Sequence, residues 1–373
     1  MVLWSLCTRV QGALSALYSL SGKLLAVTIK DIAKRAGVSH STVSRALRDD
    51  PLVAEETASR IRRLASELSY VPSAAARSLK TSRSRVLGVI VNRIADPFYS
   101  EVLDGVQEVF QTAGYSLFLG SPNHSPLGAR SVLQAMAERR VEGIIVCSTT
   151  VSEADLAQVG SPVVLVHSRV LEHRSPSLSH DDRHGAKQLT EHLLELGHRQ
   201  IAFLGNVRGR RLTQERLSGY REALFEADLM VPGEYVAMAS SGEPTGGAEG
   251  MRSLLDRELP PTAVVCYNDM MAFGAMQVIR ESGLTVPDDL SVVGFDNIEL
   301  SAYFSPALTT FHQPKYQLGS EAAHMMLRQL NDAFEGRDVE QAERITVRGE
   351  LRIRSSTAPP PRRERKRIRN QHE

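Results

Sequence analysis

Polar side chains stand at the ends of several short apolar runs in this sequence of 373 residues. Short apolar runs bounded by polar residues are typical of buried parallel strands, and ligands of open α/β sheets bind outside the carboxyl ends of the strands. Hydroxyl, amide, carboxyl and imidazole groups gathered there can exchange hydrogen bonds with a polar small molecule. The residues that end these runs are Asn92, Ser121, Ser148, His167, Asn206, Asn268 and Asp296.

Catalytic and metal-binding patterns are missing from the sequence. There is no GxSxG, HExxH, phosphate loop or dinucleotide fingerprint, which argues against an enzyme. Cys7, Cys147 and Cys266 form no close pair, so neither a disulfide framework nor a zinc site is expected. We predict no metal and no cofactor, a reducing cytoplasm as the location, and Cys147 and Cys266 as buried residues of strands.

Two series of alternating strands and helices must position the polar residues. The first runs from Val86 to about Cys147, and the second from Ile201 to about Asn297. Such alternation predicts parallel sheets covered by helices on both faces. The predicted fold class is therefore α/β, with a core of two doubly wound parallel-sheet subdomains behind a small all-α domain.

The segment in front of this core predicts three short helices. Thr28 is placed to cap the first helix and Asp31 lies in its first turn, while Gly37 supplies a tight turn before Ser39 caps the second helix. Two helices joined through a glycine turn form the geometry that lays the second helix in a major groove of DNA.

The net charge of +1 conceals segments of opposite sign. Residues 28–85 hold 12 Lys and Arg against 6 Asp and Glu, a balance of +6, and residues 358–373 carry +4. Residues 1–27 carry +2, so by difference residues 86–357 carry −11. A basic front piece on an acidic body is typical of a nucleic-acid-binding protein with a separate second module.

The two ends of the chain are expected to contribute little to the fold. Residues 1–26 are moderately apolar, but Arg9, Gln11 and several serines interrupt the run, so we predict no membrane segment. The segment 1–27 is interpreted as a disordered extension, or as a misassigned start with translation beginning at Val27. The proline-led basic tail 358–373 is also expected to be disordered, and it lacks the leucine heptads of a tetramerising coiled coil.

The front segment resembles the lactose/galactose-repressor family of bacterial transcription regulators. The resemblance is carried by VTIKDIAKRAGVSHSTVSRAL and by SYVPSAAARSLK further along. It implies base reading by His40, Ser41 and Arg45, although His40 can instead contact a phosphate or solvent. An arginine can donate two hydrogen bonds to O6 and N7 of guanine. The phosphate contacts that it implies are Lys30, Ser39, Thr42 and Ser44. It also implies a hinge helix in the minor groove, with Leu79 as an inserted wedge and Ala76 and Lys80 beside it.

The resemblance extends through the body and implies an effector site in its cleft. The implied residues are Phe98, Tyr99, His167, Arg210, Arg216, Asn268 and Asp296. Two alternatives remain at this stage: Phe98 and Tyr99 can equally be core residues, and Asp269 can cap the helix that follows it. The segment SSGEP lacks an aromatic that several members stack on a planar ligand, and His167 replaces a common acid. The implied effector is a sugar or sugar derivative.

These observations predict a repressor of transcription. Its predicted domains are 28–73 for DNA binding, 74–85 for the hinge and 86–357 for the core, with crossings between subdomains near 184, 313 and 343. A homodimer would bind a pseudo-palindromic operator in double-stranded DNA, with no membrane partner, and effector binding would change operator affinity in either direction. The alternative is a periplasmic-type sugar-binding protein or another non-enzymatic sensor, which leaves residues 28–80 unexplained.

Overall fold

A computed structural model describes residues 27–70, 83–167, 175–230, 233–337 and 343–361. The chain divides into two compact units, Met1–Ser84 and Arg85–Glu373. The predicted hinge residues Ala76, Leu79 and Lys80 lie outside the described residues.

The described part of the first unit is a bundle of three helices. Helix α1 spans Ile29–Ala36, α2 spans His40–Ala46 and α3 spans Glu55–Glu67. Their inner faces meet in an apolar core that includes Ile32, Val43 and Ile61. The N–H and the hydroxyl of Thr28 both donate to Asp31 Oδ2, at 2.8 and 2.7 Å, which fixes the start of α1. Gly37 ends it with a φ of +66°, a conformation that favours glycine.

The second unit contains two six-stranded sheets in the described part of the chain. The strands of the N-terminal sheet are β1 Val86–Val91, β2 Ser116–Gly120, β3 Ile144–Cys147, β4 Val163–Val166, β5 Ser177–His180 and β11 Arg344–Val347. Those of the C-terminal sheet are β6 Ile201–Asn206, β7 Val236–Ala239, β8 Ala263–Cys266, β9 Ser291–Asp296, β10 Thr309–His312 and β12 Glu350–Arg352. The helices are α4 Phe98–Thr112, α5 Pro126–Glu138, α6 Glu153–Leu156, α7 Asp182–Glu195, α8 Arg211–Glu226, α9 Pro244–Leu255, α10 Asp269–Glu281, α11 Leu300–Tyr303 and α12 Lys315–Phe334.

Both sheets have the doubly wound strand order expected from the alternation of elements. The N-terminal sheet runs β11-β5-β4-β3-β1-β2 and is parallel throughout. The C-terminal sheet runs β12-β10-β9-β8-β6-β7 and is parallel except for β12, which pairs antiparallel with β10. The predicted fold class is confirmed.

Apolar runs form these strands because both of their faces are covered. In β1, Val89 and Val91 pack in the cluster that holds residues of α4 and α12, whereas Ile90 packs in the cluster with residues of α5. Every residue of β6 and of β9 is buried. Cys147 and Cys266 end strands as buried free thiols, as predicted.

The chain passes between the two sheets three times. The first crossing is at Asp181, between β5 and α7, three residues before the predicted position near 184. The second is at 313–314, between β10 and α12. The third is at 348–349, between β11 and β12, whereas the predicted position near 343 comes just before β11. Each sheet is therefore built from separate stretches of sequence.

The core continues past residue 357. The carbonyl of Ala358 accepts a hydrogen bond from His198 Nε2 at 2.8 Å and one from Ser291 Oγ at 3.1 Å. Its N–H donates to the same Ser291 oxygen at 3.0 Å. Ala358, the first residue after the predicted end of the core at 357, is therefore bonded to buried groups of the C-terminal sheet.

Candidate functional site

Helix α2 begins with a hydroxyl cluster centred on Ser39. Ser39 Oγ accepts a hydrogen bond from the N–H of Thr42 at 3.1 Å, and it lies 2.7 Å from Ser41 Oγ and 2.8 Å from Thr42 Oγ1. The cap satisfies a free N–H of the first turn. It thereby fixes the direction in which this helix leaves the turn.

The exposed side of α2 carries the predicted base-reading residues. His40, Ser41 and Arg45 are all exposed, and Ser41 and Arg45 share one helix face because they are four residues apart. Arg45 Nε is 3.9 Å from Asp50 Oδ2 and the arginine side chain is 53% exposed. A contact of this length at the surface is weak, so the guanidinium is available to a ligand.

The predicted phosphate-contacting residues lie in the same bundle of helices. Lys30 and Ser39 are exposed, while Thr42 and Ser44 are half-buried. The arrangement offers one ammonium group and several hydroxyl groups beside the base-reading helix. Such groups position a protein on DNA without reading its sequence.

A cavity of about 140 Å³ lies at the carboxyl ends of the strands of both sheets. Its lining includes six of the seven predicted effector residues: Phe98, Tyr99, His167, Arg216, Asn268 and Asp296. The seventh, Arg210, is exposed at the start of α8 and does not line the cavity. The neighbouring Arg208 lines it instead. The turn before α8 thus places Arg208, and not Arg210, at the cavity.

Arg216 forms a buried ion pair in the inner wall of the cavity. Its Nε donates to Asp182 Oδ1 at 2.8 Å, with both side chains 4% exposed, and its Nη1 donates to the carbonyl of Tyr267. The guanidinium carbon lies 3.8 Å from the centroid of the Phe295 ring. These three groups hold the guanidinium in place, and Arg216 Nη2 also faces Asp296 Oδ1 at 3.8 Å.

Asp296 occupies the end of β9 in an unusual backbone conformation. Its φ is +111° and that of Asn297 is +52°, a region that residues other than glycine rarely adopt. Its Oδ1 accepts a hydrogen bond from Gln313 Nε2 at 2.6 Å. Burial raises the pKa of Asp296 well above its usual range, although Arg216 opposes this shift. This environment favours the neutral form of the carboxyl more than water does.

Lys315 holds the backbone on the other side of Asp296. This lysine is fully buried, and its Nζ donates to the carbonyls of Asp296 and Asn297 at 2.8 and 2.9 Å. It also lies 3.2 Å from Glu101 Oε1 of helix α4. Since α4 and α12 cover the N-terminal sheet and Asp296 ends a strand of the C-terminal one, this ammonium connects the two halves directly behind the cavity.

Both polar atoms of the Asn268 side chain bind backbone groups of the protein. Its Oδ1 accepts from the N–H of Met271 at 2.9 Å, which caps α10, and its Nδ2 donates to the carbonyl of Gly242 at 3.0 Å. The cap is Asn268, so the alternative that Asp269 caps the helix is wrong. Asp269 instead accepts from Ile298 N–H at 2.8 Å and Thr310 Oγ1 at 2.5 Å, and burial raises its pKa to about 7.

Phe98 and Tyr99 are at once cavity wall and core. Both are 9% exposed, their rings meet edge to face at 5.3 Å, and both belong to the apolar cluster of the N-terminal sheet. Tyr99 Oη accepts from Asn92 Nδ2 at 3.1 Å. Ser148 and Ser121 do not line the cavity, but they bind Asn92 from behind, at 2.8 Å to Oδ1 and 3.1 Å to its carbonyl.

The solvent side of the cavity contains charged residues that the sequence interpretation missed. We define the mouth as Arg93, His124, Arg208 and Glu243, which are half-buried except for the exposed Arg208. Arg93 follows β1, and its Nη1 binds Glu243 Oε1 in front of α9, so this ion pair joins the two halves. Their signal in the sequence is their position. Arg93 comes one residue after a predicted strand end, and Arg208 comes two residues after another.

His180 is a buried histidine next to the cavity, and its two ring nitrogens have no hydrogen-bond partner among the described residues. It packs edge to face on Phe295 and Phe311. Burial lowers its pKa to about 3, with Asp182 opposing the shift and His167, Arg216 and His312 adding to it. The ring is therefore neutral in the folded protein.

This neutral ring makes the core sensitive to acid. The unfolded chain takes up a proton at His180 near pH 6.5, whereas the folded one does so only near 3. Its contribution to stability is therefore complete above pH 6.5 and falls as the pH drops toward 3. In urea titrations by circular dichroism, we expect the wild type to lose about 2–3 kcal/mol more between pH 7 and pH 4 than His180→Gln. His324→Gln removes an exposed histidine and should keep the wild-type slope; an unchanged slope in His180→Gln would contradict the assignment.

The sequence and structure are similar to known regulators over most of the chain. The family described as "Bacterial regulatory proteins, lacI family" matches residues 28–73, and "Periplasmic binding protein-like domain" matches 190–357. The HTH-type transcriptional repressor PurR of Vibrio campbellii is 38% identical over 336 residues, covering 87% of this chain and 98% of that protein. The same repressor of Aliivibrio salmonicida is 36% identical over 318 residues, covering 84% and 95%.

Solved structures agree with this similarity. The lac repressor dimer bound to operator and the anti-inducer ONPF has a TM-score of 0.76 at 27% identity, covering 89% of this chain and 99% of that chain. The transcriptional regulator CelR in complex with cellobiose has a TM-score of 0.67 at 27% identity, covering 88% and 99%. None of the helices that the structure describes is long and apolar enough to cross a membrane. With its helix-turn-helix segment, its two parallel sheets and these relatives, the chain belongs to the lacI family of bacterial transcription regulators.

Proposed function

We propose that the protein is a cytoplasmic, non-enzymatic repressor that binds a pseudo-palindromic operator as a homodimer. Its operator affinity is set by a small polar effector, a sugar or sugar derivative, in the cavity between the two sheets. The observation that carries this proposal is the presence in one chain of an exposed, capped base-reading helix and a polar cavity walled by two sheets. The relatives that are named repressors, and the neighbours solved with operator or with a sugar, support both halves.

On the DNA side, we assign base reading to the exposed face of α2. Arg45 presents a planar fork of donors suited to the O6 and N7 atoms of guanine, while His40 and Ser41 tolerate more than one base. Lys30, Ser39, Thr42 and Ser44 bind phosphates. Ala76, Leu79 and Lys80 would enter the minor groove at the centre of the operator, where an apolar wedge favours a kink.

On the effector side, we assign polar recognition to Arg216, Asp296 and His167, with Phe98 and Tyr99 as the apolar wall. Asn268 shapes the site by capping α10 and holding the Gly242 carbonyl. Three crossings of the chain connect the two halves of the core. Closure of the two halves on a ligand would therefore change their relative orientation. Because binding linkage is reciprocal, an effector that changes operator affinity is itself bound with a different affinity by the DNA complex.

Arg45→Ala tests the DNA half of the proposal. Sites are first selected from random duplexes with the wild type, and binding is then measured by fluorescence anisotropy. Loss of a bidentate guanine contact should reduce affinity for the selected site by about 1–3 kcal/mol and relax the preference at that base. Arg48 is exposed in the turn after α2, and Arg48→Ala should weaken all sequences alike. An equal loss on selected and random DNA with Arg45→Ala would refute base reading by this residue.

A further inference from the structure

The inner and outer parts of the cavity differ in charge balance. Inside, Arg216 is paired with Asp182 at 2.8 Å and faces Asp296, so its charge is already compensated. At the mouth, Arg93 is paired with Glu243, while Arg208 belongs to none of the ion pairs formed by the described residues. The mouth therefore carries one more cation than anion.

Arg208 is held in place although no acid binds it in the described structure. It lies in a 3-10 turn, Val207–Gly209, directly after β6, and its N–H donates to Asn206 Oδ1 at 2.9 Å. Asn206 is itself a buried lining residue of the cavity. The exposed guanidinium thus projects from a fixed turn at the cavity and faces His124, whose pKa burial and Arg208 both lower.

Glu243 supplies the only carboxylate among the four mouth residues. It stands immediately before α9, with Pro244 as the first residue of that helix. A negative charge is favoured at this helix end. The nearby Asp96 also lines the cavity, where burial raises its pKa and the Glu243 charge raises it further, against the Phe98 N–H and Arg93.

The mouth is therefore suited to an anionic group carried by a ligand whose remainder is polar and uncharged. A carboxylate or phosphate at this position can accept bidentate hydrogen bonds from a guanidinium. Glu243 then competes with the anionic group of the ligand for Arg93, because Glu243 already binds Arg93 and Arg93 lines the cavity. The inner groups, Asp296 and Gln313, are placed to exchange hydrogen bonds with hydroxyl groups.

We propose that the effector is an anionic sugar derivative, a sugar acid or sugar phosphate, whose charged group binds Arg208 and Arg93 at the mouth in place of Glu243. This inference rests on the proposed function and specifies its ligand class. It also assigns to Arg208 the role that the sequence had suggested for Arg210.

Matched sets of compounds test the charge requirement in the full-length protein. The sets are glucose, glucuronate and glucose 6-phosphate; galactose and galacturonate; and ribose and ribose 5-phosphate, with hypoxanthine and guanine as uncharged planar compounds. Thermal shift identifies binders and isothermal titration calorimetry gives Kd. We expect at least one anionic member to bind at least tenfold more tightly than its neutral parent, and the carboxylate and phosphate arms identify which acid is preferred.

Three variants then test the residues. Arg208→Gln should weaken the anionic binder at least tenfold without changing the Kd of its neutral parent, and Glu243→Gln should tighten the anion several-fold. Arg210→Gln is the matched control. It removes the same charge two residues further along the chain, from a side chain that does not line the cavity. The Kd of this variant for the anionic binder should equal that of the wild type.

Any one of the following results would overturn the inference. Tighter binding of a neutral sugar than of every anion, or equal losses in Arg208→Gln and Arg210→Gln, would refute anion recognition while leaving the proposed function intact. Tighter binding of a nucleobase than of every sugar would refute both anion recognition and the sugar-like effector. If no compound binds and none changes operator affinity, the anionic-sugar assignment fails, and so does the proposal of a sugar-like effector.

Discussion

Arg216→Met should lower the free energy of unfolding of the core by about 3–5 kcal/mol, because it leaves the buried carboxylate of Asp182 without its cation. The pair is 2.8 Å long and both side chains are 4% exposed. Methionine keeps much of the apolar contact with the rings of Phe295 and Tyr267, so the loss is chiefly electrostatic. Urea denaturation followed by circular dichroism measures the change as a shift in midpoint at constant slope.

Two further variants serve as comparisons for Arg216→Met. Arg183→Met removes an arginine that is 58% exposed and pairs with Glu222, and an exposed pair contributes only about 0–1 kcal/mol. The double variant Arg216→Met with Asp182→Leu removes both buried charges and should recover much of the stability, because a buried ion pair is often no better than apolar packing. A loss below 1 kcal/mol in Arg216→Met alone would contradict the buried pair.

Lys315→Met should cost about 2–4 kcal/mol, because buried carbonyls lose their donor. The lysine is fully buried, and its Nζ binds the carbonyls of Asp296 and Asn297 at 2.8 and 2.9 Å. Methionine fills a similar space without supplying hydrogen-bond donors. The same urea titrations measure the loss, and hydrogen exchange should show faster exchange at residues 294–298 than in the wild type.

Lys187→Met provides the matched control for this prediction. Lys187 is 22% exposed and pairs with Glu222 and Glu226 at 3.0 and 2.7 Å on the surface of the C-terminal half. Its replacement should cost less than about 1 kcal/mol and leave exchange at 294–298 unchanged. Equal effects of the two substitutions would show that Lys315 does not stabilise the strained end of β9.

The elements of this fold follow from local patterns, whereas their pairing does not. The apolar run at 201–206 ends with Asn206 in both sequence and structure, since a strand buried on both faces leaves a continuous apolar signature. The crossings at Asp181 and at 348–349 have no such signature. The positions of the crossings depend on the sheet to which β5, β11 and β12 each add. That choice depends on contacts between residues far apart in sequence, and the local periodicity of the sequence does not report it.

The candidate site shows the same division. Asp296 could be placed from the sequence because it ends a strand whose direction is regular, whereas Arg216 was placed by the resemblance to the family. Arg208 and Arg210 lie in a turn, where two residues of the same type point to different places, and the φ of +50° at Arg210 is not readable from residue type. Glu243 was missed because its partner Arg93 is 150 residues away.

The three crossings also have a consequence for the integrity of the molecule. Since each half of the core is assembled from separate stretches of sequence, neither half can be cut out as one continuous fragment. A single proteolytic cut at Asp181, at 313–314 or at 348–349 would leave two covalent connections between the halves. We therefore expect a nicked core to migrate as one particle in size-exclusion chromatography, and its two pieces to separate only after denaturation.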